Sequence, residues 1–305
     1  MVDRPASARG ALTEAKTIAA GMPDLLVEAR RVAATVLAGW HGRRVSGRGE
    51  TFWQFRPFVT GEPAATIDWR RSARDDHLYV REKEWEASHT VWLWPDLSAS
   101  MDFRSRLAPV DKRTRATVLT LALADLLAAA GERTGLLGAS SAMLTRDSAE
   151  RIAALIPAAT AKPAPPDTRA LRRFTDVCLV GDFLDPIEEI ETTLDAILRA
   201  GVHAHLVQVI DPIEEAFPYA GRTEFHDPET GLRHVVSRAE QYRTDYHDRL
   251  AALRDRLSTL CRRLDWTFII HRTDRPVTEP LLALHARLAD RHSRVGGATF
   301  DGRAA

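Results

Sequence analysis

Five short runs of apolar residues alternate with longer segments whose apolar residues recur every three or four positions. Helical spacing covers residues 111–130, 147–156, 186–200 and 239–264, and a last helix, VTEPLLALHARLAD, follows the fifth run. Short apolar strands separated by helices are typical of a parallel sheet that is covered on both faces. We therefore predict a doubly wound, mostly parallel α/β fold with the strands TVWLWP (90–95), TGLLGA (134–139), DVCLVG (176–181), HLVQVI (205–210) and TFIIHR (267–272).

The chain before the first of these strands has a different pattern. Residues 1–42 predict a loose tail followed by one helix, with Asp24 placed to cap its first turn. Residues 43–89 are aromatic and interrupted by Gly and Pro, which predicts a β-rich N-terminal addition. The α/β domain itself is predicted at 90–293, and a loose C-terminal tail at 294–305.

One β element interrupts the alternation of strands and helices after the fourth strand. The segment TEFHDPETGLRHVV predicts a hairpin, in which DPETG forms the turn and Gly231 adopts a positive φ. A role for this hairpin does not follow from its pattern.

Composition narrows the class of partner. The chain has 305 residues, 45% of them hydrophobic, which is enough for a large core. Its 42 basic residues balance 42 acidic residues, so no general electrostatic attraction to nucleic acid or anionic lipid is expected. The short basic clusters RTRATV and CRRLDW are interpreted as solvated helix faces. We expect a protein partner, and neither nucleic-acid binding nor membrane insertion.

Cysteine content and the N-terminal segment bear on location. The two cysteines, Cys178 and Cys261, have no metal-type spacing. The N-terminal residues lack the basic-then-apolar pattern of a signal sequence. The most apolar helix, ATVLTLALADLLAAAG, is short for a membrane span and contains Asp125. These features predict a soluble cytoplasmic protein.

Oxygen-bearing side chains follow three of the predicted strands. Asp96, Ser98 and Ser100 follow the first strand, Asp182 the third and Asp211 the fourth. In an open parallel sheet ligands bind outside the carboxyl ends of the strands, so these groups are expected at one edge. An all-oxygen set suits a hard divalent cation, Mg²⁺ or Mn²⁺.

Other interpretations of the same residues stay open. Ser98 and Ser100 are equally suited to cap a helix, and Asp211-Pro212 is an ordinary turn opener. An aspartyl phosphotransferase would need a second carboxylate two residues after Asp96, where this chain has Ser98. A serine hydrolase would need a Gly-x-Ser-x-Gly turn, which DLSAS lacks.

The histidines do not supply the missing catalytic group. His89, His203 and His205 fall at strand beginnings, which is the opposite edge of the predicted sheet. We therefore expect no enzymatic activity.

The segment GRGETFWQFRPFVTGEPAATIDWRRSARDDHLYVREKEWEASHTVWLWPDLSASM resembles the signature of the bacterial family called domain of unknown function 58. Its elements are the Gly-rich start, IDW, SAR, VRE and the Asp-x-Ser-x-Ser strand end, and the later LVGDFLDP is similar to the family's second Asp motif. The resemblance covers roughly residues 44–290. It implies a von Willebrand factor A-like domain that works with a MoxR-type AAA+ ATPase in chaperone-like maturation.

The same resemblance assigns metal ligands by motif. Asp96, Ser98 and Ser100 match the first metal motif, and Asp182 matches the third. Thr168 and Thr160 are both candidates for the threonine of the second motif. The family's usual Gly-Asp turn is replaced here by Gly61-Glu62-Pro63.

Three functional hypotheses follow. The first is a non-enzymatic module that binds a protein partner through a cation. The second is a metal-dependent phosphohydrolase at the same strand edge. The third is a scaffold that keeps the fold without the metal.

Overall fold

The computed structural model describes residues 5–40, 52–59, 63–74, 77–83, 89–160 and 165–298. Two compact units are present, one formed by Trp40–Ser88 and the other by the rest of the chain. The strands are β1 (Phe52–Pro57), β2 (Tyr79–Lys83), β3 (Thr90–Pro95), β4 (Arg133–Leu136), β5 (Asp176–Gly181), β6 (His203–Ile210), β7 (Thr223–His226), β8 (Arg233–Val236) and β9 (Thr267–Arg272). The described residues form eight helices: α1 (Pro5–Trp40), α2 (Trp69–Ser72), α3 (Lys112–Ala130), α4 (Ser148–Thr160), α5 (Ile187–Arg199), α6 (Pro212–Ala216), α7 (Arg243–Arg263) and α8 (Thr278–Ala298).

The larger unit is built on a five-stranded sheet with the order β4-β3-β5-β6-β9. All four strand pairs are parallel, which confirms the predicted α/β class. The strand order reverses between β3 and β5, and such a reversal is where open α/β sheets bind ligands. At the free edge of β4, an antiparallel bridge joins Thr134 of this strand to Met143.

The two faces of the sheet carry separate cores. One face packs against residues of α1, α3, α4 and α8. The other packs against α5 and α7. Neighbouring positions of one strand supply opposite faces, as Cys178 and Leu179 of β5 do. Both faces are therefore apolar, which explains the continuous apolar runs in the sequence. Burying one large aliphatic side chain contributes roughly 1.5–3 kcal/mol.

Helix α3 is the most buried helix of the larger unit. Asp111 caps its first turn, because the Asp111 carboxylate accepts a hydrogen bond from the Thr114 amide at 2.6 Å. Gly131 ends it with a φ of 83°, a left-handed conformation that glycine adopts without steric cost. Its first turns bury Lys112, Arg113 and Arg115. The interpretation of RTRATV as a solvated face is therefore wrong, because Arg113 and Arg115 are buried. They donate hydrogen bonds to the backbone carbonyls of Leu97, Ser98 and Thr273.

Both ends of the larger unit are more helical than predicted. Helix α1 begins at Pro5, so Asp24 lies inside it and does not cap it. The segment before Asp24 is rich in alanine, the residue with the highest helix propensity, which accounts for the longer helix. Helix α8 continues to Ala298, into the segment predicted as a loose tail. No helix in the described ranges combines the length and apolarity required to span a bilayer.

The smaller unit contains the antiparallel pair of β1 and β2 and the short helix α2. The side chain of Asp68 caps α2 by accepting a hydrogen bond from the Arg71 amide at 2.9 Å. The Arg71 guanidinium lies 4.5 Å from the ring centroid of Tyr79, within cation–π range. Gly61 and Glu62, where the chain departs from the family pattern, lie outside the described residues.

Candidate functional site

Asp96 and Asp182 follow β3 and β5, the two strands between which the order of the sheet reverses. The Asp96 amide donates a hydrogen bond to the Val180 carbonyl at 2.7 Å, which continues the pairing of the strands by one residue. A Cβ atom on Gly181 would lie 3.0 Å from the Cβ of Asp96. The absence of a side chain at Gly181 therefore allows the Asp96 carboxylate to pack against the end of β5.

The loop after β3 gathers one carboxylate and two hydroxyls. Asp96 accepts a hydrogen bond from the Ser98 amide at 2.9 Å, and the hydroxyl oxygens of Ser98 and Ser100 are 3.1 Å apart. Neighbouring ligands in an octahedral Mg²⁺ shell lie about 3 Å apart, because each is 2.0–2.1 Å from the ion. The two hydroxyls therefore have the spacing of two adjacent ligands.

Burial dominates the electrostatics of Asp96. Desolvation raises the pKa of this carboxyl to about 6, the negative charges of Asp182 and Asp185 act in the same direction, and the hydrogen bonds from Ser98 oppose them. A buried carboxylate with a raised pKa lacks a sufficient counter-charge. A cation bound beside Asp96 would supply one.

Arg113 stabilises the loop that follows Asp96. Its guanidinium donates hydrogen bonds to the carbonyls of Leu97 and Ser98 at 3.2 and 3.1 Å. It also forms an ion pair with Asp102 at 2.7 Å. These contacts fix the backbone on both sides of the Ser98 hydroxyl.

The ammonium group of Lys112 lies at the same edge of the sheet. Its ammonium donates hydrogen bonds to Asp182 at 2.9 Å and to Glu214 at 2.6 Å, and the residue is 1% exposed. Burial acts to lower the pKa of Lys112, but the two carboxylates outweigh it and raise this pKa above its usual value. Sequence reasoning missed Lys112. The available signal was a lysine in the first turn of a helix, where the helix dipole disfavours cations.

Asp182 is engaged through both oxygens of its carboxylate. One accepts from Lys112, and the other accepts from the Leu184 amide at 3.2 Å. The carbonyl of Asp182 accepts from the side-chain amide of Gln208 at 2.9 Å. Asp182 therefore lies beside the loop of Asp96 as half of a buried ion pair.

Asp211 has a structural role at this edge. Its side chain accepts hydrogen bonds from the Ile213 and Ser105 amides. Its own amide donates to the Glu214 side chain, which completes a capping box at the start of α6. Both carboxylate oxygens of Asp211 are used, in agreement with the turn-opener interpretation.

The two threonine candidates lie in different settings. Thr160 is buried in α4 and donates to the Ile156 carbonyl at 2.9 Å. Thr168 begins a short 3₁₀ turn, at which the Asp167 side chain accepts a hydrogen bond from the Arg169 amide at 3.1 Å. In the described part of the chain, neither threonine hydroxyl hydrogen-bonds to Asp96, Ser98 or Ser100.

The predicted hairpin is present as β7 and β8, and its tip meets the loop of Asp96. Glu229 accepts a hydrogen bond from the Ser100 amide at 2.8 Å. Gly231 closes the turn with a φ of 72° and donates its amide to the Asp227 carbonyl at 2.9 Å. A carboxylate from a distant part of the chain therefore lies next to the two serines, which no local pattern signalled.

A second set of ligand-type side chains lies at the opposite, amino edge of the sheet. Asp176, His203 and His205 are buried and place one potential ligand atom each within 4.8 Å of the others. They could hold a metal ion. Sequence reasoning set the histidines aside because they begin strands.

Comparisons with known proteins identify the family. Residues 54–256 match the model described as "Protein of unknown function DUF58". The chain belongs to the DUF58 family. This DUF58 protein is 28% identical over 292 residues to the uncharacterized proteins Rv1480 of Mycobacterium tuberculosis and Mb1516 of Mycobacterium bovis, with 90% of both chains covered in each comparison.

Two solved structures are similar to parts of the DUF58 protein. One is the conserved hypothetical protein BatB of Bacteroides thetaiotaomicron, with a TM-score of 0.37, 11% identity, and coverage of 68% of this chain and 100% of that one. The other is an aerotolerance-related membrane protein of Bacteroides fragilis, with a TM-score of 0.39, 14% identity, and coverage of 67% and 100%.

Proposed function

We propose that this DUF58 protein is a non-enzymatic, divalent-metal-dependent module that binds a protein partner at the carboxyl edge of its sheet. The observation that carries the proposal is the loop after β3, where the buried Asp96 carboxylate is followed by two hydroxyls spaced like neighbouring ligands. On this proposal the larger unit is a von Willebrand factor A-like domain. Asp96, Ser98 and Ser100 hold Mg²⁺ or Mn²⁺.

Asp96 and Asp182 differ in how well they suit direct binding of a cation. Asp96 is 8% exposed and gains a counter-charge when an ion binds. Asp182 has Lys112 as its counter-charge, so we assign it to orienting the shell rather than to direct binding. Thr168 has no assigned role in this arrangement. A shell with one direct carboxylate and two neutral hydroxyls leaves the ion electrophilic, which favours a further carboxylate ligand from outside.

Glu229 supports a carboxylate as the group that the partner contributes. Its side chain comes from the β7–β8 hairpin and already reaches the Ser100 amide. We infer that it is an internal substitute, which an aspartate or glutamate of the partner displaces. The family resemblance suggests a MoxR-type AAA+ ATPase as that partner, in chaperone-like maturation or assembly.

The phosphohydrolase alternative has one observation in its favour, a lysine at the strand edge. In phosphoryl transfer such a cation would stabilise charge on the substrate. Lys112, however, is buried and already paired with Asp182 and Glu214, which opposes contact with a substrate. We therefore place this alternative second.

The test is a binding assay with the AAA+ ATPase of the native cell. Wild-type protein should retain the ATPase in Mg²⁺ and release it in EDTA. Asp96→Ala and the double variant Ser98→Ala/Ser100→Ala should bind weakly in both buffers. Asp195→Ala and Ser141→Ala, at exposed positions on α5 and near β4, are the matched controls and should behave as wild type.

Three results would overturn the proposal. Equal retention of the ATPase by wild type in EDTA and by a folded Asp96→Ala variant would place the partner surface elsewhere. Mg²⁺-dependent hydrolysis of a generic phosphate ester that is lost in Asp96→Asn would establish the phosphohydrolase instead. A calorimetric titration with Mg²⁺ that shows no heat in wild type would favour the metal-free scaffold.

A further inference from the structure

The amino edge of the sheet holds a cluster of nitrogen and oxygen ligands that the proposed function does not use. Asp176 is the first residue of β5 and pairs in register with His203, the first residue of β6. His205 lies two residues further along β6, on the same face of the sheet as His203. His89 immediately precedes β3, the other neighbour of β5. Three adjacent strands therefore bring one carboxylate and three imidazoles together.

The distances within the cluster are short. His89 contacts Asp176 through its Nε2 atom at 2.9 Å, and His203 Nδ1 is 3.8 Å from the other oxygen of Asp176. The rings of His203 and His205 have centroids 4.9 Å apart. Only modest side-chain rotations are needed to bring ligand atoms that lie within 4.8 Å of one another onto one ion.

Hydrogen bonds behind the histidines orient their rings. His203 Nε2 contacts the carbonyl of Asp265, and His205 Nδ1 contacts the hydroxyl of Thr267 at 3.1 Å. A carbonyl oxygen only accepts, so Nε2 of His203 carries the hydrogen and Nδ1 of the neutral ring presents a lone pair toward Asp176. Metal-binding histidines are typically held in this way, with the second ring nitrogen donating to a carbonyl or carboxylate.

The cluster is buried on all but one side. Asp176 is 0% exposed and lies among residues that are almost as buried. A carboxylate removed from water requires a compensating charge or several hydrogen bonds. The partly exposed side of the cluster is His89, whose side chain is 15% exposed and offers a path for an ion.

We propose that Asp176, His203 and His205, with His89 as the fourth ligand, form a binding site for a borderline transition-metal ion, for which Zn²⁺ is the probe. Imidazole nitrogens with one carboxylate suit Zn²⁺, whereas Mg²⁺ prefers oxygen ligands. Four protein ligands would close the site, which makes it structural rather than catalytic. The ion would join β3, β5 and β6 at the edge remote from Asp96.

The experiment uses the full chain without a histidine tag, freed of metal by a chelator and then dialysed. Titration with Zn²⁺ should show one site, and Co²⁺ should give the intense visible absorption of a four-coordinate ion. His203→Ala and His205→Ala should weaken Zn²⁺ binding by roughly 100-fold or more, as loss of a ligand exceeds the effect of losing an outer partner. His89→Ala, at the partly exposed position, should weaken binding and shift the Co²⁺ spectrum without unfolding the protein.

Two controls separate this site from its alternatives. His234→Ala, on the exposed strand β8, should leave Zn²⁺ binding unchanged. Asp96→Asn should also leave it unchanged, so that failure of the magnesium proposal and failure of this one can be told apart.

Three outcomes would overturn the inference. The first is a Co²⁺ spectrum that stays that of the six-coordinate aqueous ion, with no thermal shift in Zn²⁺. The second is an identical Zn²⁺ affinity in wild type and His89→Ala, combined with an unchanged Co²⁺ spectrum. The third is an NMR titration of the wild type in which the imidazole signals of the cluster are unaffected by one equivalent of Zn²⁺. In that case the cluster is a set of contacts between the histidines and Asp176 that holds no metal ion.

Discussion

The two edges of the parallel sheet carry different kinds of polar side chain. At the carboxyl edge, the loop of Asp96 supplies oxygen atoms, and the cations Lys112 and Arg113 from α3 hold the surrounding groups. At the amino edge, imidazoles from β6 face the carboxylate of Asp176, which begins β5. Parallel pairing thus concentrates side chains at both ends of the strands. The carboxyl edge is built by loops and a helix, whereas the amino edge is built by strand register.

The largest effect is expected from removing the cation inside the carboxyl edge. Lys112→Met would leave Asp182 and Glu214 as buried carboxylates without their counter-charge. Breaking a buried ion pair in this way typically costs 3–5 kcal/mol, and we expect a loss of that order in the free energy of unfolding, measured in urea. Adding Asp182→Asn and Glu214→Gln should recover part of the loss. An unchanged unfolding midpoint in Lys112→Met would show that the pair contributes little.

Metal-linked stability should separate the two edges. Mg²⁺ at 100 times its dissociation constant would raise the unfolding free energy by about 2.7 kcal/mol, and Zn²⁺ at the same ratio would do the same. Thermal melts should show the Mg²⁺ effect lost in Asp96→Asn and kept in His203→Ala, with the reverse pattern for Zn²⁺. If one variant abolished both effects while remaining folded, the two sites would not be independent.

An effect of similar size concerns the pH dependence that Asp96 imposes in the absence of metal. Because its pKa is raised to about 6 from 3.8, the native state binds this proton more tightly than the unfolded state. The free energy of unfolding should therefore fall as pH rises through that window, by at most about 3 kcal/mol for a shift of about two units.

Asp96→Asn should not show this fall. In EDTA we expect the unfolding free energy of the variant to exceed that of wild type by up to about 3 kcal/mol at pH 7.5. Below the unfolded pKa the two values should match. Urea unfolding at a series of pH values measures both. A wild type whose stability rises through the window would contradict the raised pKa of Asp96.

The smallest effect on stability is expected at the tip of the hairpin. Glu229→Gln keeps the length of the side chain and loses the charge that faces the Ser100 amide. We expect no measurable change in the unfolding free energy, but tighter binding of the partner in Mg²⁺, because the internal carboxylate no longer competes. Glu224→Gln on β7 is the matched control. Weaker partner binding in Glu229→Gln alone would make the hairpin part of the interface.

The strands and the hairpin could be predicted from local pattern, because both faces of the sheet are buried and because Gly231 marks the turn. The loop of Asp96 could also be predicted as a place where oxygen-bearing side chains gather. Lys112 could not, because a lysine after a helix cap normally faces water. Its partners Asp182 and Glu214 are 70 and 102 residues away in sequence.

The amino-edge cluster shows a different limit of sequence reasoning. His203 and Asp176 meet because β5 and β6 pair with one particular register, and a shift by one residue would turn their side chains to opposite faces. Register depends on the packing of the whole sheet. The histidines could therefore be recognised in the sequence, whereas their contact with Asp176 could not be predicted.

The buried ammonium of Lys112 also constrains the order in which the chain can be completed. Helix α3 is synthesised early, yet the two carboxylates that neutralise its lysine belong to segments made 70 and 102 residues later. Until Glu214 has emerged from the ribosome, packing α3 onto β3 and β5 would bury an incompletely neutralised charge. Packing of the nascent N-terminal half is therefore only weakly stabilising. We expect the sheet to form late, through contacts of long sequence separation that slow folding.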